Sequence, residues 1–336
     1  MYRTLFFVFF LFAAFVPAVY ADGCCSWQNT NAIFAGDLGQ YYPISLTFDA
    51  NTNKMALLTW GNFNQTYTLA LWYYDGNNWE EAWQGDPQTT FLPIPPLMLY
   101  YDYNINSLVS IGFVRSPSGE GGGLEAFRYD PSNGFEVVEN AGIFGGPSAP
   151  SLSISYAYDT IRKRVVIPRA SDQDYITAEF DGHQFYEIQN APGVILYSGI
   201  AGYNPDTRRV VFFGFNGFHD SNPTTWEYDG NTWVQVQTVL QPNFSYSYHA
   251  AGMTYMPKLH ALLALDYSDS SLETWLYGSS WKIIQPSNSP TQAISSLMSI
   301  NPLYNAIIDY NVVNVASFYN ITMELKLFHC RPVAKP

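Results

Sequence analysis

Along most of this chain the apolar positions come in short runs cut by turn residues, and two phrases alternate. In the first, a run of aromatic and apolar residues leads into Asp-Gly or a similar pair and then to Trp or Phe. It reads Leu71-Trp72-Tyr73-Tyr74-Asp75-Gly76-Asn77-Asn78-Trp79, and recurs at Phe127–Phe135, Phe180–Phe185, Thr225–Trp233 and Thr274–Trp281. Asp-Gly and Gly-Asn between alternating runs predict tight hairpins, because such turns need a positive φ. In the second phrase, an aromatic-Asp or similar pair precedes a short apolar run without helical period. Its copies start at Phe48-Asp49, Tyr101-Asp102, Tyr158-Asp159, Tyr203-Asn204, Tyr255-Met256 and Ile300-Asn301. Runs of this kind read as buried strands. No stretch has the spacing of a long helix.

Two hairpins make a four-stranded unit. The anchor aromatics at 79, 135, 185, 233 and 281 are 56, 50, 48 and 48 residues apart. That period with four strands predicts an all-β fold, a six-bladed β-propeller. The second phrase occurs six times but the first only five times after residue 70. The missing copy is Ser26-Trp27-Gln28, 52 residues before Trp79. The last blade is therefore expected to be closed by the N-terminal strand, which spares the ring two open edges.

The first residues stand apart from this pattern. Met1-Tyr2-Arg3 precedes an unbroken apolar run from Leu5 to Val16, and Val19-Tyr20-Ala21 suits a signal peptidase. Residues 1–21 read as a signal peptide and 22–336 as one propeller domain, secreted or extracellular, in the periplasm or on the cell surface if the source is bacterial. The run is too short for a membrane anchor, and no membrane insertion is expected. Composition agrees with a strand-rich fold: 17% of residues are aromatic and only 13% charged. The net charge of −13, or −14 once Arg3 is removed, repels phosphate backbones, so no nucleic-acid partner is expected.

Cys24, Cys25 and Cys330 are the only cysteines. In an exported chain a pair is expected to be oxidised. Ring closure predicts a disulfide from Cys330 to Cys24 or Cys25. A vicinal Cys24–Cys25 bond and three free thiols are the alternatives. The chain is read as a monomer, with a disulfide dimer open to the spare cysteine.

The phrase Tyr203-Asn204-Pro205-Asp206-Thr207-Arg208-Arg209-Val210-Val211-Phe212-Phe213-Gly214, followed by Thr225-Trp226-Glu227-Tyr228-Asp229-Gly230 and Trp233, resembles the kelch repeat. It is similar to exported kelch-like proteins sharing the architecture of the galactose oxidase central domain. The Gly-Gly pair typical of kelch is reduced to single glycines such as Gly61, Gly112 and Gly214, so the repeats are divergent. The family includes structural, adhesive, ligand-binding and enzymatic members, and the resemblance specifies fold and not function.

Propellers usually bind ligands at the end carrying the loops between second and third strands. Those loops hold Arg115, Arg169, Asp172, His219, Asp220, Tyr246, His249 and Asp266. Arg115, Arg169, His219, Tyr246 and His249 are the candidate ligand-binding residues, the arginines for an anionic group and Tyr246 as a stacking face. Asp220 with Asp266 is a candidate acid–base pair. The five histidines lack metal-ligand spacing, and all three cysteines lie at the closure, so neither metal nor cofactor is expected. Asn64, Asn243 and Asn320 begin sequons, which matter if the source is eukaryotic. Without a catalytic motif, the sequence predicts a non-enzymatic binding or interaction scaffold for a protein or carbohydrate ligand. The alternative is an epimerase-, mutarotase- or glycosidase-like enzyme with its site at the channel mouth.

Overall fold

The computed structural model describes residues 25–29, 33–34, 41–63, 66–85, 94–115, 122–138, 144–145, 155–168, 176–191, 194, 196–217, 222–242, 250–268, 271–285, 295–300, 305–315 and 318–330. Among these there is no helix, and the strands form antiparallel sheets of four, the blades of a β-propeller. The first sheet holds Tyr41–Asp49, Lys54–Phe63, Thr66–Tyr74 and Asn78–Gly85. The second holds Ile94–Asp102, Ser107–Arg115, Gly122–Asp130 and Gly134–Val137. The third holds Ala157–Asp159, Arg164–Ile167, Ile176–Phe180 and Phe185–Gln189. The fourth holds Leu196–Asn204, Arg209–Asn216, Thr224–Tyr228 and Trp233–Val236. The fifth holds Ala250–Met256, Ala261–Ser268, Ser271–Tyr277 and Trp281–Ile284. The sixth takes Ser295–Ile300, Asn305–Val315 and Phe318–Cys330 from one end of the chain and Cys25–Asn29 from the other. Neighbouring first strands pack side by side, including the sixth sheet against the first, and one apolar cluster joins the second sheet to the third.

Two sheets depart from the four-strand expectation. Ile33–Phe34 adds a parallel strand outside Asn78–Trp79, and Phe144–Gly145 pairs with Gly123–Leu124. Both are two-residue additions that cover backbone groups a blade would otherwise leave exposed.

The core lies between sheets, because alternate residues of each strand point to opposite neighbours. Leu58, Leu69 and Leu71 of the first sheet meet Leu99, Phe127 and Phe135 of the second. Val211 and Phe213 of the fourth meet Leu262, Ala264 and Trp281 of the fifth. In the first five sheets the fourth-strand aromatic locks the hairpin by packing on its third-strand partner, as Trp233 stacks on Tyr228 with centroids 4.9 Å apart.

One end of the ring carries the turns between first and second strands and between third and fourth. The Asp-Gly turns form tight hairpins with four-residue loops. Four residues separate the paired Tyr228 and Trp233, and the Asp229 carboxylate accepts the Asn231 and Thr232 N–H groups at 2.9 and 3.0 Å. Only the glycine takes a positive φ, +101° at Gly230. An aspartate side chain thus replaces part of the backbone turn. The first turns use the same device: Asp49, Asp102, Asp159 and Asn204, all buried, each accept a backbone N–H two residues on. Each such turn ends on a residue of positive φ, from Asn53 and Asn106 to Lys163 and Arg208.

These turns also stitch sheet to sheet. Asn51 donates to the Asn106 carbonyl at 2.7 Å, and Asn104 to the Lys163 carbonyl at 2.7 Å. Asp206 accepts Tyr255 Oη at 2.6 Å and lies 3.0 Å from His260 Nδ1. Between the third and fourth sheets the link is the Tyr228 hydroxyl, which donates to a carboxylate held by ion pairs inside the third sheet. Buried Glu179 accepts Arg162, Arg164 and Tyr228 Oη, with Asp159 also on Arg162.

Candidate functional site

A common register locates equivalent positions in five of the six sheets, the third excepted. Ala56 pairs with Tyr73, Val109 with Arg128, Val211 with Glu227, Leu263 with Leu276, and Ala306 with Leu327. Three pairs further from the turn end, the couples become Thr59–Ala70, Gly112–Glu125, Gly214–Thr224, Asp266–Glu273 and Asp309–Glu324. This layer lies toward the end of the ring where second strands turn into third strands. Each of its couples carries at least one threonine or carboxylate residue.

In three sheets an indole N–H pins the polar group of this layer. Trp72 donates to Thr59 at 2.9 Å, Trp226 to Thr224 at 2.9 Å, and Trp275 to Glu273 at 3.0 Å. The second sheet has Phe127 where the others have tryptophan, and among the described residues no donor reaches Glu125. Burial pushes the Glu125 carboxyl above the ordinary glutamate range.

The fifth and sixth sheets differ from the rest. Each sets two carboxylate residues directly opposite each other, Asp266 across from Glu273 and Asp309 across from Glu324. Opposed residues of an antiparallel pair have Cβ atoms about 4.5–5.5 Å apart, and like charges so placed destabilise the sheet. The same pairing at one register in neighbouring sheets marks this sector of the ring as the candidate site. Beside it the sixth sheet's hairpin continues for six further pairs, from Tyr310–Met323 to Val315–Phe318. At about 3.4 Å per residue it stands roughly 20 Å beyond the acidic layer.

Of the residues singled out from sequence, Arg115 ends the second strand of the second sheet, paired with Gly122 at this same end. Arg169, His219, Tyr246, His249, Asp172 and Asp220 lie outside the described residues, as do Asn64, Asn243 and Cys24. Asn320 pairs with Val313 on the projecting hairpin. Asp266 stands opposite Glu273, whose signal in the sequence is its place four residues before Tyr277, matching Glu125 before Tyr129. Among the described residues no group of His, Cys, Asp and Glu could hold a metal ion, and no helix is long and apolar enough to cross a membrane.

At the seam, Cys25 is buried and disulfide-bonded. The ladder sets it directly opposite Cys330, and sets Trp27 opposite Phe328. Both chain ends therefore enter the same sheet at the turn end.

No protein-family model matches the chain, and no curated protein matches it. Similar solved structures do exist. The α-L-arabinanase of Penicillium chrysogenum, complexed with arabinobiose, is 8% identical over 91% of this chain and 97% of its own, with a TM-score of 0.52. A putative oxidoreductase (glucose dehydrogenase) of Thermus thermophilus is 11% identical over 91% and 100%, with a TM-score of 0.53. A gluconolactonase of Xanthomonas campestris is 8% identical over 86% of each chain, with a TM-score of 0.50. At these identities the likeness is one of fold, and the fold is a β-propeller.

Proposed function

We propose that this chain is an exported six-bladed propeller hydrolase that cleaves a glycosidic bond or a sugar lactone. The observation that carries the reading is the opposition of Asp266 and Glu273, repeated by Asp309 and Glu324 in the adjoining sheet. Two carboxylates flanking one bond are the equipment of glycoside hydrolysis. One delivers a proton to the leaving oxygen, and the other attacks the anomeric carbon or activates water. The indole of Trp275 would fix Glu273 for either role. The arabinanase and gluconolactonase among the similar structures support this enzymatic reading over a non-enzymatic scaffold.

The finer features of the fold belong to the same proposal. The six sheets are taken as six blades, the kelch-like character rests on the sequence phrases, and Cys25 is taken to bond Cys330. Adjacent strand residues point to opposite faces, so a disulfide facing Cys330 suits Cys25 and not Cys24. Export through residues 1–21 supplies the oxidising compartment.

The test is a turnover assay of the mature protein on arabino-oligosaccharides, aryl arabinofuranosides and aldonolactones. Asp266→Asn and Glu273→Gln are expected to lower kcat by about 10²- to 10⁴-fold with the fold retained. Turnover unchanged in both variants would refute the assignment. Binding of these sugars with no turnover would return the chain to the scaffold reading.

A further inference from the structure

We propose that the turn end of the ring carries a binding site for an acidic oligosaccharide, formed by the exposed ring of Tyr103 and the charges of Lys163 and Arg208. In five sheets the first turn encloses four residues, 50–53, 103–106, 160–163, 205–208 and 257–260. The last of the four has a positive φ each time, 55° at Asn53, 49° at Asn106, 52° at Lys163, 56° at Arg208 and 51° at His260. Asparagine takes this conformation at low cost, because its short side chain bonds locally, whereas lysine and arginine have no such compensation. Positions 163 and 208 therefore hold exposed cations where asparagine would be the more stable choice. Strain retained at two neighbouring surface positions points to use.

The carboxylates around these two cations are already engaged. Asp159 and Glu179 hold Arg162 and Arg164, and Asp229 holds Arg209 at 3.2 Å. Asp181 accepts the His183 and Gln184 N–H groups and the Tyr186 hydroxyl. Asp206 takes Tyr255 and His260. Among the described residues no ion pair includes Lys163 or Arg208. The Tyr203 phenol lies within reach of the charges of both Arg162 and Arg208, which sets the two turns side by side.

Tyr103 supplies the third element. It is the first of its four turn residues, where the other sheets have Ala50, Thr160, Pro205 and Pro257. The side chain is 43% exposed, yet its ring is braced by Tyr101 at 4.9 Å and Tyr158 at 5.8 Å. Its backbone N–H donates to Tyr158 Oη at 3.1 Å. The next residue, Asn104, donates to the Lys163 carbonyl, so ring and ammonium stand on adjoining turns. A braced aromatic face suits the apolar face of a sugar and loses little freedom on binding. The ammonium and guanidinium suit carboxylates carried by that sugar or the next. A net charge of −13 opposes polymers dense in phosphate, so acidic groups spaced along a saccharide are the class that fits.

Calorimetry of the mature protein with tetragalacturonate tests this, beside its methyl ester, which keeps the rings and loses the charge. The acid should bind, and the ester at least about tenfold more weakly. Lys163→Asn and Arg208→Asn should each weaken binding about five- to tenfold. Their melting midpoints should stay unchanged or rise, since asparagine suits that backbone. Tyr103→Ala should weaken binding about tenfold. Lys54→Asn, which removes a cation paired with Glu80 in the first sheet, should leave it unchanged. Absence of binding, equal binding of the ester, or full affinity in Tyr103→Ala or in the Lys163→Asn, Arg208→Asn double variant overturns the site. Equally tight binding of single-stranded DNA or of anionic phospholipid vesicles overturns the saccharide class. Asp266→Asn lies toward the opposite end and should leave this binding intact, so failure of the hydrolase reading and failure of this site are read separately.

Discussion

Replacing Glu179 by glutamine should cost more than any other single charge removal at the turn end. Its side chain is 1% exposed, with Arg164 Nη1 at 2.8 Å, Tyr228 Oη at 3.0 Å and Arg162 on the oxygen shared with Tyr228. Both guanidiniums also lie over aromatic rings, Arg162 at 5.5 Å from the Tyr228 centroid and Arg164 at 4.4 Å from that of Tyr186. Glutamine keeps one acceptor but turns an amide donor toward a cation. Breaking a buried ion pair by removing one partner costs about 3–5 kcal/mol. Arg162 keeps Asp159 at 2.7 Å, and the arginines are 28% and 31% exposed, so water recovers part of the loss. The expected cost is the lower end, about 3 kcal/mol. With an unfolding entropy of about 2.1 cal/mol/K per residue, that is a fall of roughly 4–5 °C in Tm for a chain of this size. Calorimetry with a parallel urea titration measures it. Glu136→Gln serves as the internal comparison, since its partner Arg128 is 3.8 Å away and both side chains are well exposed. It should cost under about 0.5 kcal/mol. If the two variants shift Tm equally, the buried network does not hold the third and fourth sheets together.

Two further outcomes follow from the turns. The Thr232 and Asn231 N–H groups and Arg209 hold the Asp229 carboxyl below its ordinary range. A depressed carboxyl stabilises the fold above the unfolded value near pH 4 and loses that contribution as pH falls through the folded value. Asp229→Asn should therefore lose less Tm than the parent between about pH 5 and pH 2.5, and an identical acid slope would refute this. Gly134 has φ of +84° and its Cα faces the Trp83 indole, so an added Cβ would fall on that ring. Gly134→Ala should cost about 2–4 kcal/mol by urea titration, against about 1 at Gly76, where φ is +109° but space is open.

Strands and their order were legible because period-two runs and turn residues are local signals. Trp27 could be placed on the last sheet by counting repeats, and the ladder to Phe328 agrees. The turn chemistry was only half legible. Asp-Gly marked each bend, but the Asp229 carboxylate acting as a turn element depends on side-chain geometry that the dipeptide does not encode. Glu179 was passed over inside the apolar run Ile176–Phe180, since its partners Arg162 and Arg164 come from another strand and Tyr228 from another sheet. The Asp266–Glu273 couple emerges only from register, which sequence spacing alone does not fix.

The position of the seam bears on how the molecule can be held. Cys25 and Cys330 face each other at the turn end, while the opposed carboxylates lie toward the far end. Anything attached to either tail, whether a surface, a fused module or a purification support, grips the ring from beneath. The acidic end would then look away from the point of attachment.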